Sequence, residues 1–372
     1  MISPTEPLRV LMTADTVGGV WTYALELSRA LADYDVHIVL ACMGPQPDPR
    51  QLPAAAELPN VSITHLDAKL EWMRDPWSDV ARAGDWLLQL ADRAQVDVIH
   101  LNGYVHAVLP WNRPVIVVAH SCVYSWWQAV HRCDPPGEWQ MYRERVAAGL
   151  NRADCIVAPT SAFLEAIRGI YGPATPTRVI YNARSMGASA GPWQRLPVIF
   201  ASGRAWDRAK GVDLLDAAAQ DLAWHCYLAG SLTSPEGARV QLNSLRQLGR
   251  LTTEAHAAWL RRATIFAHPA RYEPFGLGVL EAALGGCALV LADVPTLREL
   301  WHDAALFVPV NDALALHRAL RSLITNRQRV AELANASWLR ARSYRTQTMA
   351  AQYLSLYREL LARSPQQARE VA

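Results

Sequence analysis

Lysine is nearly missing from this chain. Of 36 lysines plus arginines only Lys69 and Lys210 are lysines, and the rest are arginine. Replacement on that scale reads as a composition bias, and it gives a surviving lysine added interest. Long apolar runs are missing too: nothing approaches the about 18 consecutive apolar residues of a membrane-spanning helix. The start, MISPTEPLRVLMTAD, has no basic region followed by an apolar stretch and a small-residue cleavage site, so no signal peptide is expected. The expected location is cytoplasmic, free or peripheral at the inner face of the membrane, with no transmembrane segment. Excess charge is missing: a net +2 is too weak to suggest nucleic-acid binding. No CxxC occurs among Cys42, Cys122, Cys133, Cys155, Cys226 and Cys287. Buried free thiols in a reducing compartment are expected rather than a zinc site. No GxGxxG dinucleotide fingerprint is present, which disfavours a nicotinamide oxidoreductase. The one D-x-D, Asp33-Tyr34-Asp35, falls where a helix should end, and no metal site is expected there.

What is present is a rhythm. With 372 residues, 51% of them hydrophobic, two domains are expected. Strand-like runs lie at Arg9–Thr13, His37–Ala41, Val61–His65, Val98–Leu101, Val115–Ala119, Cys155–Ala158 and Arg178–Tyr181. Helical patterns intervene at Val20–Ala32, Asp79–Ala91, Glu138–Asn151 and Ala162–Gly169. Several strands are wholly apolar, as in VIVVA, which suits a parallel sheet covered on both faces. Asn182–Leu196, rich in Gly, Ala, Ser, Pro and Arg, reads as a linker. The rhythm restarts with strands at Val198–Ala201, His225–Leu228, Thr264–Ala267, Ala288–Ala292 and Leu306–Val308. Helices are predicted at Val212–Ala219, Glu236–Leu248, Thr253–Arg262 and Leu277–Leu284, then a helical tail over Asp312–Leu361. The expected fold class is α/β: two Rossmann-like doubly wound domains, residues 1–188 and 195–345, facing a central cleft. Ligands of such sheets bind beyond the carboxyl ends of the strands.

Three stretches sit there. GRAWDRAKGVDLL (203–215) sets Arg204 and Lys210 around a turn, with Asp207 and Arg208 between them and a helix following. Two separated cations near backbone N–H groups suit a diphosphate. The alternative is a solvated loop in which an arginine pairs with Asp207. DTVGGV (15–20) follows the first strand, and its glycines permit close backbone approach, or simply make a strand–helix turn. HPARYEPFGLGVLE (268–281) carries Glu273 and Glu281 eight apart around Gly276 and Gly278. Carboxylates accept hydrogen bonds from vicinal hydroxyls, and the amides between them suit phosphate or sugar oxygens. Together they imply a ligand with both groups, such as a nucleoside-diphosphate sugar. The alternative is a capping acid plus a solvent-facing helix acid. A fourth stretch, HSCVYSWWQAVHRCDPPGEWQMY (120–142), gathers Tyr124, Trp126, Trp127, Trp139 and Tyr142, which either stack on an acceptor sugar or fill the core. His100 and His268 either line the cleft or are satisfied core histidines.

These residues resemble the retaining glycosyltransferases of the GT-B fold, glycosyltransferase family 4. EPFGLGVLE is similar to that family's E-x7-E signature. GRAWDRAKG, the early GGV, AHS at Ala119–Ser121, ADCIVAPTSAF and VIYNA also match, so the likeness covers nearly the whole chain. The arginine and lysine stand six apart where five is common, with Arg208 as a third cation between them, and Ala183 replaces a common glycine.

The resemblance implies that Arg204 and Lys210 hold the donor diphosphate and Glu281 the ribose diol. Glu273 would contact the transferred sugar, beside the backbone of Phe275, Gly276 and Leu277. Gly18 and Gly19 would approach the phosphates, and His120 would touch a donor hydroxyl near the reacting carbon. Glu273, His120, Arg204 and Lys210 are the candidate catalytic residues; Tyr124, Trp126 and Trp127 are the candidate acceptor-binding ones. The last helix, with residues 346–372, would cross back to the first domain. The implied activity is retaining transfer of a hexose-type sugar from a UDP-sugar, or a GDP-sugar, to a saccharide or lipid-linked acceptor. No cofactor or metal is expected, and surface polysaccharide or glycoconjugate assembly is the implied setting. A sugar-nucleotide 2-epimerase or a non-catalytic partner subunit on the same fold is the alternative.

Overall fold

The computed structural model describes residues 7–46, 57–186, 194–234 and 237–370, the side chains of 364–370 excepted. Contacts divide the chain into two units. The first comprises residues 1–125, 133–183 and 345–372, and the second residues 126–132 and 184–344. Trp126–Arg132, expected in the first domain, thus groups with the second unit.

The first unit is built on a parallel sheet of β1 (Leu8–Asp15), β2 (Val36–Met43), β3 (Val61–Leu66), β4 (Val98–Leu101), β5 (Val115–Val118), β6 (Cys155–Ala158) and β7 (Thr177–Val179). Its order is β3-β2-β1-β4-β5-β6-β7. The chain reverses direction across the sheet between β1 and β4, which leaves a crevice at their carboxyl ends. All four residues of β4, β5 and β6 are buried, as the unbroken apolar runs of β5 and β6 require, and β4 buries His100 among its apolar residues. The helix Thr346–Glu370 belongs to this unit and packs on the helix Gly19–Leu31. A polar tie fixes it: Tyr357 Oη lies 2.7 Å from Nδ1 of His100 on β4. His100 is fully buried, a core histidine.

The second unit repeats the plan with β8 (Leu196–Ser202), β9 (His225–Ala229), β10 (Leu245–Gly249), β11 (Ala263–His268), β12 (Ala288–Ala292) and β13 (Leu306–Val308). Its order is β10-β9-β8-β11-β12-β13, again all parallel. Adjacent residues point to opposite faces. Phe200, Phe266 and Leu289 therefore enter one core with Trp301, while Ile199, Ile265 and Val290 enter another with Leu316 and Leu320. The crevice here lies between β8 and β11, so the loops after these two strands are the ones that meet.

Four sequence expectations change. Leu245–Gly249 is a strand, and the described residues before it form no helix, in place of the helix predicted over Glu236–Leu248 (Glu236 itself lies outside the described residues). The apolar spacing of Val240, Leu245 and Leu248 imitated a helix, and β10 is an edge strand whose polar Arg246 and Gln247 face solvent. The aromatic-rich stretch contains an unpredicted helix, Val123–His131, and Pro295–Trp301 is a second. The tail is three helices, Ala313–Thr325, Arg327–Ala341 and Thr346–Glu370. Residues 187–193 of the expected linker lie outside the described residues. Cys42, Cys122, Cys155, Cys226 and Cys287 are buried and free, and Cys133 is free but exposed. Among the described residues no helix is long and apolar enough to cross a membrane.

Candidate functional site

The loop after β8 carries Arg204 and Lys210, and the loop after β11 carries Glu273. They meet. Lys210 Nζ donates to Glu273 Oε2 at 2.7 Å, and His268 Nε2 lies 2.9 Å from the same oxygen. Glu273 is only 12% exposed. Burial alone would raise its pKa, but the Lys210 charge and the His268 hydrogen bond outweigh burial and hold the carboxyl well below the usual range. It is therefore an anion at any ordinary pH. No described residue bonds Glu273 Oε1, so one oxygen is fixed and the other is available. The Glu273 backbone carbonyl accepts from Thr296 Oγ1 at 2.5 Å, which pins the loop.

The lysine loop is shaped by close approaches. Gly211 has φ +63°, and a Cβ there would stand 2.0 Å from Pro269 O, so only glycine fits. Asp207 accepts from Ala209 N at 3.0 Å and from Arg204 Nη2 at 2.8 Å. The Arg204–Asp207 pairing that the sequence left as an alternative is thus formed. Arg204 remains 37% exposed, and Arg208 is exposed. The helix Val212–Ala218 has just seven residues, so the side-chain cations must carry most of any anion attraction here. Arg271, which the sequence reading passed over, clamps this loop. Its guanidinium donates to Asp213 at 2.8 and 2.6 Å, to Arg208 O at 2.7 Å and to Asn311 Oδ1 at 2.5 Å.

The helix Leu277–Leu284 begins after Gly276, whose φ is +86°, and no side chain caps it. Its first amides therefore have no intrahelical partner. Phe275 is buried against Tyr344, and Leu277 is partly buried, so only their backbone can serve a ligand. Glu281 lies within this helix, 15% exposed, and accepts from Arg184 Nε at 2.6 Å. His256 Nδ1 is 3.6 Å from its other oxygen.

In the first unit, Asp15 Oδ1 accepts from Gly18 N at 2.9 Å, so this amide is already occupied. Yet a Cβ on Gly18 would approach nothing nearer than 3.7 Å, so protein packing does not demand a glycine. Gly19 opens the helix Gly19–Leu31. After β5, His120 Nε2 lies 2.8 Å from Asn102 Oδ1. Asn102 Nδ2 donates to Thr13 O at 2.6 Å, so its oxygen must accept. His120 thus carries its proton on Nε2, and Nδ1 keeps its lone pair. Burial lowers its pKa to about 3, which keeps the ring neutral. The ring of Tyr23 packs edge-on against it at 4.5 Å. Asn102 was not foreseen; its place directly after β4 was the one available signal. Glu71 was also missed. It accepts from Val105 N at 3.1 Å and Tyr104 N at 3.1 Å. Burial raises its pKa to about 7 against those two bonds.

The aromatic expectations divide. Tyr124 is buried, edge-on to Tyr171, with Arg143 over its ring, which disfavours the acceptor contact expected of it. Trp126 and Trp127 are partly exposed, with Trp127 stacked at a tilt on His131 at 4.6 Å. Trp126 Nε1 donates to Asp207 Oδ1 at 3.3 Å, within the second unit.

These titrations predict an acid response. A histidine with a depressed folded pKa binds its proton only when the chain unfolds, so stability falls as pH drops from about 6.5 toward 3. His100, lowered to about 3 first by burial and then by His120, and His120 itself each contribute up to ~1.4 kcal/mol per pH unit. Glu71, raised to about 7, acts oppositely between about 7 and 4.5 and offsets one of them. Denaturant midpoints should therefore decline from pH 6.5 to 4.5, and His100→Asn should flatten that decline. An equally steep slope in the variant would remove His100 as a cause.

Comparison with known proteins agrees with this fold. The family model described as Glycosyltransferase Family 4 matches residues 17–185, and that described as Glycosyl transferases group 1 matches residues 196–326. The chain is 26% identical over 402 aligned positions to an alpha-maltose-1-phosphate synthase of Mycolicibacterium smegmatis, covering 94% of this chain and 97% of that protein. Its fold is similar to sucrose-phosphate synthase from Thermosynechococcus elongatus, with TM-score 0.77, 19% identity and 95% and 99% of the two chains covered. It is likewise similar to Anabaena HepE solved with UDP-glucose, with TM-score 0.75, 18% identity and 95% and 100% covered. With both family models matched in succession and two doubly wound parallel sheets, the chain belongs to glycosyltransferase family 4 and has the GT-B fold.

Proposed function

We propose that the protein is a retaining hexosyltransferase that moves a sugar from UDP-sugar to a saccharide or lipid-linked acceptor, in surface polysaccharide or glycoconjugate assembly. The observation that carries this reading is the divided carboxylate of Glu273, held on Oε2 by Lys210 and His268 and open on Oε1. An ionised acid with one presented oxygen accepts a sugar hydroxyl, and the lysine that fixes it offers its charge to a neighbouring phosphate. HepE was solved with UDP and with UDP-glucose, which favours uridine.

In this mechanism the leaving diphosphate departs and the acceptor hydroxyl attacks on the same face, its proton passing to an oxygen of the departing phosphate, through an oxocarbenium-like state and without a protein nucleophile. Lys210 and Arg204 stabilise charge on the departing phosphate, with the uncapped amides after Phe275 beside them. Glu281 binds the ribose diol. His120, neutral and oriented by Asn102, accepts a donor hydroxyl on Nδ1. The spare room at Gly18 suits a phosphate close to the backbone of Gly18 and Gly19. Trp126 and Trp127 offer faces to an acceptor ring. No step calls for a metal, because protein cations meet the diphosphate.

Thermal shifts with UDP-, GDP- and ADP-glucose in excess chelator test this. At a hundredfold excess over Kd, UDP-glucose should add ~2.7 kcal/mol and raise Tm by several degrees. No shift with any of the three would overturn the donor assignment, and a shift that needs a divalent cation would overturn the metal-free mechanism. Donor incubated alone should keep its sugar; isomerised sugar would instead identify an epimerase.

A further inference from the structure

Among the described residues Glu281 has one cationic partner, Arg184. Arg184 Nε reaches its Oε1 at 2.6 Å, and the two side chains are 16% and 15% exposed. The other facing group is His256, whose pKa is lowered by burial, so it brings no charge near neutral pH. Its 3.6 Å separation from Oε2 is also too long for a hydrogen bond. A carboxylate offers about four lone-pair sites. Arg184 takes one on Oε1, which leaves room on both oxygens for two further donors, the number a vicinal diol brings. Without Arg184 the largely buried carboxyl would lose its short hydrogen bond and the orientation that bond sets.

We infer that Arg184 is a positioning residue for nucleotide recognition: it holds the Glu281 carboxyl oriented so that both oxygens accept the ribose hydroxyls of a nucleoside-diphosphate donor. This rests on the donor reading above. Arg184 opens the main segment of the second unit, 97 residues before its partner. It carries the donor site's ribose selectivity without contacting the sugar being transferred.

The test is calorimetric binding of UDP and 2′-deoxy-UDP to the full chain. The wild type should prefer UDP, and Arg184→Gln should weaken UDP about tenfold while leaving 2′-deoxy-UDP within about twofold, so that the preference collapses. Arg184→Lys, which keeps the charge, should keep the preference within about threefold, and it remains informative if the glutamine variant does not fold. An undiminished preference in Arg184→Gln would overturn the inference while the donor reading stands. So would an equal loss for both nucleotides, which marks a merely structural role, or a lost preference in folded Arg184→Lys. If neither UDP nor GDP binds the wild type, the donor reading itself falls and this inference with it.

Discussion

If the chain transfers sugar as proposed, Lys210→Ala is expected to lower turnover by ~10²–10³, the usual effect of deleting one preorganised contact to developing charge. It should also cost stability, because Lys210 is the charged partner of a largely buried Glu273. Breaking a buried pair from one side typically costs ~3–5 kcal/mol. Here the loss should be smaller, since the lysine is 21% exposed and His268 remains on the same oxygen. The two effects can be separated. Adding Glu273→Gln removes the orphaned charge and should recover part of the lost Tm, while turnover stays low. A single variant that turns over within threefold of wild type would take Lys210 out of the mechanism.

Gly149→Ala should produce a large loss of stability. Gly149 lies in the helix Gln140–Arg152, where alanine in place of glycine ordinarily gains up to ~1 kcal/mol. Here a Cβ would stand 2.0 Å from Tyr104 O and 2.8 Å from Tyr104 C, both backbone atoms that no rotamer change can move. The helix or the Gly103–Val105 segment must shift, at ~2–4 kcal/mol. That segment is gripped by Glu71 and adjoins Asn102, so His120 should lose its alignment as well. Equilibrium denaturation and turnover should fall together, and an alanine variant as stable as wild type would mean the segment can yield freely.

Much of the fold was legible because parallel strands buried on both faces are largely apolar, as β5, β6 and β12 are throughout and β4 is but for His100. β10 was not, since an edge strand keeps a polar face and its few apolar positions can imitate a helical period. The helix Val123–His131 was hidden by aromatic residues, whose presence signals stacking as readily as a core. In the site, the residues next to strand ends could be picked out by position: Arg204, Lys210, Glu273. Their supports could not. Arg184 stands 97 residues from Glu281, and Arg271 lies 58 from Asp213, and no local spacing encodes either pair. The Arg204–Asp207 pair, three residues apart, was visible because it is local.

The scarcity of lysine has a practical corollary. Lys69 Nζ donates to Arg74 O and Asp75 O in an exposed turn, whereas Lys210 is locked in the ion pair with Glu273. An amine-acylating reagent read out by mass spectrometry therefore meets just two ε-amino groups on the whole polypeptide. One is an internal calibrant, and the other is a native reporter whose shielding registers occupancy of the crevice without any engineered tag.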